Sequence, residues 1–208
     1  MLTGVAAFSA LAYGISLVTN IKIGFLTFDA KDAIIAVASF IYGPLSAAVM
    51  SLITAFLEFI SIGSTGPYGA LMDLISTFSF TFTASVIYKY RRNLSGALIS
   101  LGAAVTVYVG VMMVANLLIT PLYMGVSVEA VKALIPSMLL PFNIAKALMN
   151  SAIIMLLYKP TSKIVRRIGF AKPSKSSGTQ SKKDTFVVLA VSVVVLIAAT
   201  VIFIMLKK

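Results

Sequence analysis

Long apolar stretches without charge constrain this chain more than any other feature. Residues 2–19 carry no charged side chain, and residues 186–206 form a run of 21 uncharged residues that is rich in Val and Ile. A helix needs about 20 mostly apolar residues to cross the hydrocarbon core of a bilayer. The chain is 60% hydrophobic and only 11% charged, whereas roughly a quarter of the residues in a soluble domain are charged. We therefore expect an all-α integral membrane protein.

The breaks between the apolar stretches predict a six-helix bundle followed by a possible seventh helix. We expect the six helices over residues 2–19, 33–42, 44–62, 68–88, 94–119 and 141–158. Gly43-Pro44 separates the second helix from the third, although a single kinked helix is the alternative. Pro141 is expected to open the sixth helix, because proline is tolerated in a first helical turn.

The two longest connections between the predicted helices are residues 120–136 and 160–184. Residues 20–29 are expected to form a loop, residues 63–67 a tight turn, and residues 120–136 a longer amphipathic connection. Residues 160–184 are rich in Ser, Lys, Gly and Pro, with little to bury, and are expected to be mostly disordered. We accordingly divide the chain into a six-helix membrane domain (1–159), a polar and basic cytoplasmic linker (160–184) and an additional transmembrane helix (185–208).

Basic residues are concentrated in two places. Of the 17 Lys and Arg residues, 11 lie within residues 89–92 and 159–183. Such clustering is typical of cytoplasmic loops, so we expect a multi-pass protein of the plasma membrane with its N-terminus in the cytoplasm. The loops at 20–29, 63–67 and 120–136 would then lie outside the cell. Nucleic-acid binding is not expected, since it requires a folded basic surface.

The residue types that are missing exclude several kinds of chemistry. The chain contains no Cys and no His, which removes disulfides, Cys/His zinc sites and His-based catalytic triads. It also lacks the G-x-x-x-x-G-K-[ST] phosphate loop, H-E-x-x-H and G-x-S-x-G. We therefore expect neither enzymatic activity nor a metal site, and we predict no catalytic residue.

Polar residues on four of the predicted helices should converge near one end of the bundle. Polar groups are costly inside a membrane, so they usually face a cavity or each other. Their convergence predicts a ligand pocket that is open to the outside. The polar residues expected at this level are Glu58, Asp73, Asn116, Tyr123, Asn143 and Lys146.

Each of these polar residues also has a purely structural interpretation. Glu58 and Asp73 could pair with Lys31 or Lys146 inside the bundle. Asn143 and Lys146 favour a ligand more strongly, because an amide and an ammonium group suit a molecule that carries carbonyls or hydroxyls.

Small residues recur every four positions in the first helix, at Ala6, Ala10 and Gly14. Small side chains allow two helices to approach closely in lipid, where contact packing drives association. The stripe predicts either packing within the bundle or a docking face for another membrane subunit.

Two motifs carry a resemblance to a known family. These are the segment Leu140-Pro141-Phe142-Asn143-Ile144-Ala145-Lys146 and the small-residue stripe of the first helix. With Asn116 and the run Thr120-Pro121-Leu122-Tyr123, residues 1–160 resemble the substrate-binding (S) subunits of energy-coupling factor (ECF) vitamin transporters. They are most similar to the riboflavin-specific members.

The resemblance implies a function and a set of roles. S subunits bind a vitamin from outside and dock, through the small face of the first helix, on a transmembrane scaffold shared with two ATPase subunits. Asn116, Asn143 and Lys146 would then hydrogen-bond the flavin. Riboflavin is expected as the transported ligand, with no cofactor.

The loop at 22–29 would form a lid, and an uncharged tricyclic ligand would need apolar walls, for which Phe25, Leu26 and Tyr123 are candidates. Glu58 and Asp73 match no flavin-binding motif. The alternatives are an S subunit for another vitamin, such as folate, pantothenate or thiamine, or a stand-alone membrane receptor or assembly protein.

Overall fold

The computed structural model of the chain describes residues 1–63, 66–167 and 182–207, and these residues form a helical bundle. The helices are α1 (Leu2–Thr19), α2 (Lys31–Tyr42), α3 (Pro44–Ser61), α4 (Gly66–Tyr90), α5 (Leu94–Met124), α6 (Val128–Leu134), α7 (Leu140–Arg167) and α8 (Lys182–Lys207). Six helical segments of the described chain are long and apolar enough to cross a membrane, with α6 and the first part of α7 counted as one. The short α2 completes the six-helix core, and α8 is the additional C-terminal helix, so the predicted all-α membrane architecture is confirmed.

Helices α2 and α3 are separate, which settles the choice between two helices and one kinked helix. Gly43 lies between them with φ of +96°, a region that residues with a Cβ rarely enter. Pro44 then begins α3, where its missing N–H has no partner to lose.

The segment between α1 and α2 is a β-hairpin rather than the loop that we expected. Strands β1 (Ile21–Ile23) and β2 (Leu26–Phe28) pair antiparallel, with Ile21 opposite Phe28 and Ile23 opposite Leu26. Gly24 begins the two-residue turn with φ of +60°, as hairpin turns of this length require. The strands are too short for hydrophobic alternation to distinguish them from a loop in the sequence.

The connection between α5 and α7 is more helical than predicted. Helix α5 continues through Pro121 to Met124 and ends at Gly125, a left-handed C-cap residue. After α6, a π-helical turn (Ile135–Leu139) leads directly into α7. Pro141 therefore lies in the first turn of α7, as predicted, but that turn continues a preceding helical segment instead of following a loop.

The wider turn before Pro141 has a physical cause. Proline has no N–H to donate, and its ring crowds the carbonyl four residues earlier. The N–H of Leu140 accordingly donates to the carbonyl of Ile135, five residues back.

The core of the bundle lies between α2, α4, α5 and α7. Phe80, Ala104, Tyr108 and Ile154 are among its fully buried members. At one end of the bundle the hydroxyls of Tyr88 and Tyr158 lie 2.8 Å apart. The two basic stretches begin directly after these tyrosines, so they start at the same end.

Helix α8 packs antiparallel to α7. Val188, near its start, packs against the core cluster that includes Met155 of α7, whereas Phe203, near its end, contacts Phe142 at the start of α7. The predicted linker contains helix at both ends, because α7 continues to Arg167 and α8 begins at Lys182. Residues 168–181 of that linker, and Ser64 and Thr65 of the predicted turn, lie outside the described residues.

Candidate ligand-binding site

A cavity of about 150 Å³ lies at the end of the bundle opposite to Tyr88 and Tyr158. Its walls come from the hairpin segment, the end of α3, the start of α4, the second half of α5 and the start of α7. The structure brings all the residues that we predicted for substrate binding to this cavity, although their role in binding stays a prediction. They are Phe25, Leu26, Glu58, Asp73, Asn116, Tyr123, Asn143 and Lys146.

A buried cation joins three helices at one side of the cavity. The ammonium group of Lys31, which is fully buried at the start of α2, lies 2.6 Å from Glu58 of α3 and 2.6 Å from Asp73 of α4. The structure thus selects Lys31 over Lys146 as the partner of both carboxylates.

Each of these carboxylates has one oxygen left without a partner. Within the described part of the chain, neither Glu58 Oε1 nor Asp73 Oδ2 accepts a hydrogen bond, and both atoms are buried. A buried acceptor without a partner costs free energy, and both residues line the cavity. The two oxygens are therefore unsatisfied acceptors on residues of the cavity wall.

A second buried ion pair ties α7 to the hairpin segment. Lys146 Nζ lies 3.2 Å from Asp29 Oδ2 and donates to the Thr27 carbonyl oxygen at 3.4 Å. Burial alone would raise the pKa of Asp29, but the ammonium groups of Lys146 and Lys31 hold it below its usual value. Asp29 is therefore expected to stay ionised in this ion pair.

The amides of Asn116 and Asn143 are held in place by hydrogen bonds and keep capacity for more. Each donates to the carbonyl four residues earlier in its own helix, at 2.7 Å. Asn143 Oδ1 accepts from Tyr108, and Asn116 Oδ1 accepts from Thr120, both at 2.9 Å. An amide has two N–H donors and two acceptor positions, so these contacts leave one of each on both residues.

Asn150 of α7 joins this helix to the start of α2. Its amide donates to the Asp29 carbonyl at 3.3 Å, and its Oδ1 accepts from the Ala33 N–H at 3.2 Å. These bonds hold the start of α2 against α7, next to the site.

The apolar wall of the cavity is partly aromatic. Phe25, at the tip of the hairpin, meets Tyr123 edge to face with ring centroids 6.3 Å apart. Leu26 and Phe142 also line the cavity. This wall could contact the faces or edges of a planar ligand.

Sequence reasoning missed part of the site. Tyr108 lines the cavity and orients Asn143, but a single tyrosine in an apolar helix gives no distinguishing signal. The roles of Asp29 and Asp32 were also not predicted, although the density of charge at Asp29-Ala30-Lys31-Asp32 is a usable signal in a chain with only six acidic residues. Asp32 accepts from Thr77 at 2.8 Å, which holds α2 against α4.

The small-residue stripe of α1 lies away from the cavity. Ala6 and Ala10 are exposed on the surface of the bundle, and Gly14 is partly exposed. This arrangement leaves the stripe accessible to another helix in the membrane.

Comparison with known proteins decides the family. Residues 4–158 match the family described as "ECF transporter, substrate-specific component". The chain belongs to this family.

Curated relatives and a solved structure agree with the assignment to ECF substrate-specific components. The riboflavin transporter RibU of Staphylococcus aureus (strain TCH60) is 29% identical over 151 residues, which cover 69% of this chain and 79% of RibU. The riboflavin transporter FmnP of Bacillus subtilis (strain 168) is 26% identical over 143 residues, covering 64% and 75% of the two chains.

The S component of a bacterial ECF transporter superposes with a TM-score of 0.68 and 26% identity, covering 80% of this chain and 97% of that chain. The family match ends at residue 158, so α8 lies beyond the part of this ECF component that defines the family.

Proposed function

We propose that this ECF component binds riboflavin in the cavity at the hairpin end and delivers it to an ATP-driven importer. The main support for the proposal is the composition of the cavity wall, which combines aromatic side chains with buried hydrogen-bond donors and acceptors. The names of the relatives RibU and FmnP, both riboflavin transporters, support the choice of vitamin.

The chemistry of the wall suggests how riboflavin would lie. One edge of the flavin ring carries carbonyl oxygens and an N–H group, which match amides that can both donate and accept, such as Asn116 and Asn143. The ribityl hydroxyls are donors, and the unpartnered oxygens of Glu58 and Asp73 are acceptors. We place the ring toward the amides and the ribityl chain toward the carboxylates.

The hairpin must move to admit such a ligand. The cavity of about 150 Å³ is smaller than the pockets of drug-sized ligands, which start at about 300 Å³. Residues 20–29 contribute more to the wall than any other loop, so an outward shift of the hairpin would enlarge the cavity and open it. This proposal keeps the predicted lid role for residues 22–29.

Orientation in the membrane follows from charge. The two basic stretches start at the same end of the bundle, next to Tyr88 and Tyr158, and the positive-inside rule would place that end in the cytoplasm. The cavity would then face the outside. The exposed Ala6 and Ala10 would dock on a transmembrane scaffold that carries two ATPase subunits.

Equilibrium binding tests the proposal directly. Riboflavin fluorescence is titrated with the detergent-solubilised chain, in parallel with folate, pantothenate and thiamine as competitors. We expect saturable quenching by the wild-type chain, weaker quenching by Lys146→Ala, and wild-type behaviour for Lys132→Ala, because Lys132 is exposed and does not line the cavity. Absence of quenching, or displacement by another vitamin at equal concentration, would contradict the choice of riboflavin.

A further inference from the structure

Helix α8 reaches the wall of the cavity from outside the family fold. Phe203 is buried, and its ring centroid lies 5.1 Å from that of Phe28 in β2 and 5.4 Å from that of Phe142 in α7. Its neighbours Ile204 and Met205 are 56% and 71% exposed. The end of α8 therefore turns one aromatic side chain inward and leaves the next two outside.

The cluster around Phe203 connects α8 to the cavity. Ile23, Phe28 and Phe142 are buried in this cluster, and Leu26 packs against it. Leu26 and Phe142 also line the cavity. One layer of side chains therefore separates α8 from the space that a ligand would occupy.

The hairpin depends on such support. It has two strands of three residues each, and an isolated two-stranded hairpin is at best marginally stable. Its inward-facing Ile23 and Phe28 pack on α7 and α8. Removal of the α8 side of this contact should lower the free energy needed to lift the hairpin.

We propose that α8 is a brace that holds the β1–β2 hairpin over the cavity, with Phe203 as its positioning residue. By stabilising the closed hairpin, the brace slows the release of the ligand. This second statement rests on the proposed function, because it requires the ligand to occupy this cavity.

Hydrogen exchange on the ligand-free, full-length chain tests the brace itself. We expect the amides of residues 21–28 to exchange about two- to tenfold faster in Phe203→Ala than in the wild type, from the strength of buried aromatic contacts. Ile204→Ala is the matched control, since it removes an exposed side chain from the adjacent position, and should leave the exchange unchanged. The amides of α5 serve as an internal reference for global stability.

A second variant covers the case in which Phe203→Ala does not fold. Phe203→Leu keeps apolar volume but removes the ring contacts, and a smaller increase in hairpin exchange is expected. If hairpin exchange in the folded variants equals that of the wild type, the hairpin is held without α8 and the proposal is wrong.

The rate of riboflavin release tests whether the brace slows the release of the ligand. Stopped-flow dilution should give a dissociation rate about two- to tenfold higher for Phe203→Ala than for Ile204→Ala. Faster hairpin exchange with an unchanged dissociation rate would overturn the effect on release. A wild-type chain that does not bind riboflavin would contradict the proposed function, while the exchange experiment would still decide whether α8 is a brace.

Discussion

Lys146 of α7 lies 3.2 Å from Asp29, measured between Nζ and Oδ2, and both side chains are buried. Asp29 directly follows strand β2 and precedes α2. A residue that lines the candidate site is thus joined to the segment between the hairpin and α2. Binding of a ligand to Lys146 would therefore be coupled to the position of the hairpin through this ion pair.

Replacement of Lys146 should affect affinity and stability separately. Lys146→Met removes a charged donor, for which we expect a loss of riboflavin affinity of about 1–3 kcal/mol. It also leaves Asp29 buried without this partner, which should lower the free energy of unfolding by about 3–5 kcal/mol. Affinity is measured by fluorescence titration and stability by thermal unfolding.

The double variant Lys146→Met/Asp29→Asn distinguishes the two effects. It should recover much of the stability, because no unpaired carboxylate remains, while the affinity stays low. Unchanged riboflavin affinity in both variants would show that Lys146 does not contribute to ligand binding.

Tyr108→Phe should weaken ligand binding without unfolding the bundle. The variant keeps the ring that packs in the core but removes the hydroxyl that donates to Asn143 Oδ1 at 2.9 Å. We expect a loss of about 0.5–1.5 kcal/mol in riboflavin affinity, the usual value of one hydrogen bond. Wild-type affinity in a folded Tyr108→Phe protein would indicate that Asn143 needs no such support.

The carboxylates at the cavity should discriminate against anionic ligands. A phosphate monoester carries between one and two negative charges near pH 7, so riboflavin 5′-phosphate should bind more weakly than riboflavin. In Glu58→Gln the difference in binding free energy between the two ligands should shrink by about 1–2 kcal/mol, for charges about 8 Å apart at an effective dielectric constant of about 20. Glu129→Gln, an exposed position on α6, should keep the wild-type difference.

Bulky residues on the small stripe of α1 should prevent docking. Ala6→Trp or Ala10→Trp should abolish co-purification with a scaffold and ATPase subunits, because close helix approach needs small side chains. Riboflavin affinity should be unchanged, since the stripe is exposed and away from the cavity. The control is Leu118→Trp on α5, which is 66% exposed in the wild type. Co-purification that survives both α1 variants would refute the docking face.

The absence of cysteine from the chain makes the membrane orientation testable. Val126→Cys lies in the loop after α5 at the cavity end, and Ser95→Cys lies at the opposite end near the first basic stretch. A membrane-impermeant thiol reagent added to intact cells should label Val126→Cys and should label Ser95→Cys only after permeabilisation. The reverse pattern would place the cavity in the cytoplasm.

Local composition was sufficient to predict the membrane-spanning helices. Whether a segment spans a membrane depends on its own length and apolar content, so the spans could be predicted without knowledge of their neighbours. The helix ends predicted at proline residues differ from those in the structure. Pro121 lies inside α5 and Pro141 follows a π-helical turn, because neighbouring segments stabilise helix where the local rule predicts an end.

The sequence by itself determined the membrane class, the helical periodicity and the set of polar residues that had to avoid lipid, since these follow from composition and spacing along one helix. Only the tertiary structure decided the pairings: Lys31 with Glu58 and Asp73, and Lys146 with Asp29 across 117 positions of sequence. It also decided that residues 20–29 form a hairpin and that α8 packs behind it. The physical reason is that such contacts depend on how each helix is rotated and packed against the others, which no local pattern encodes.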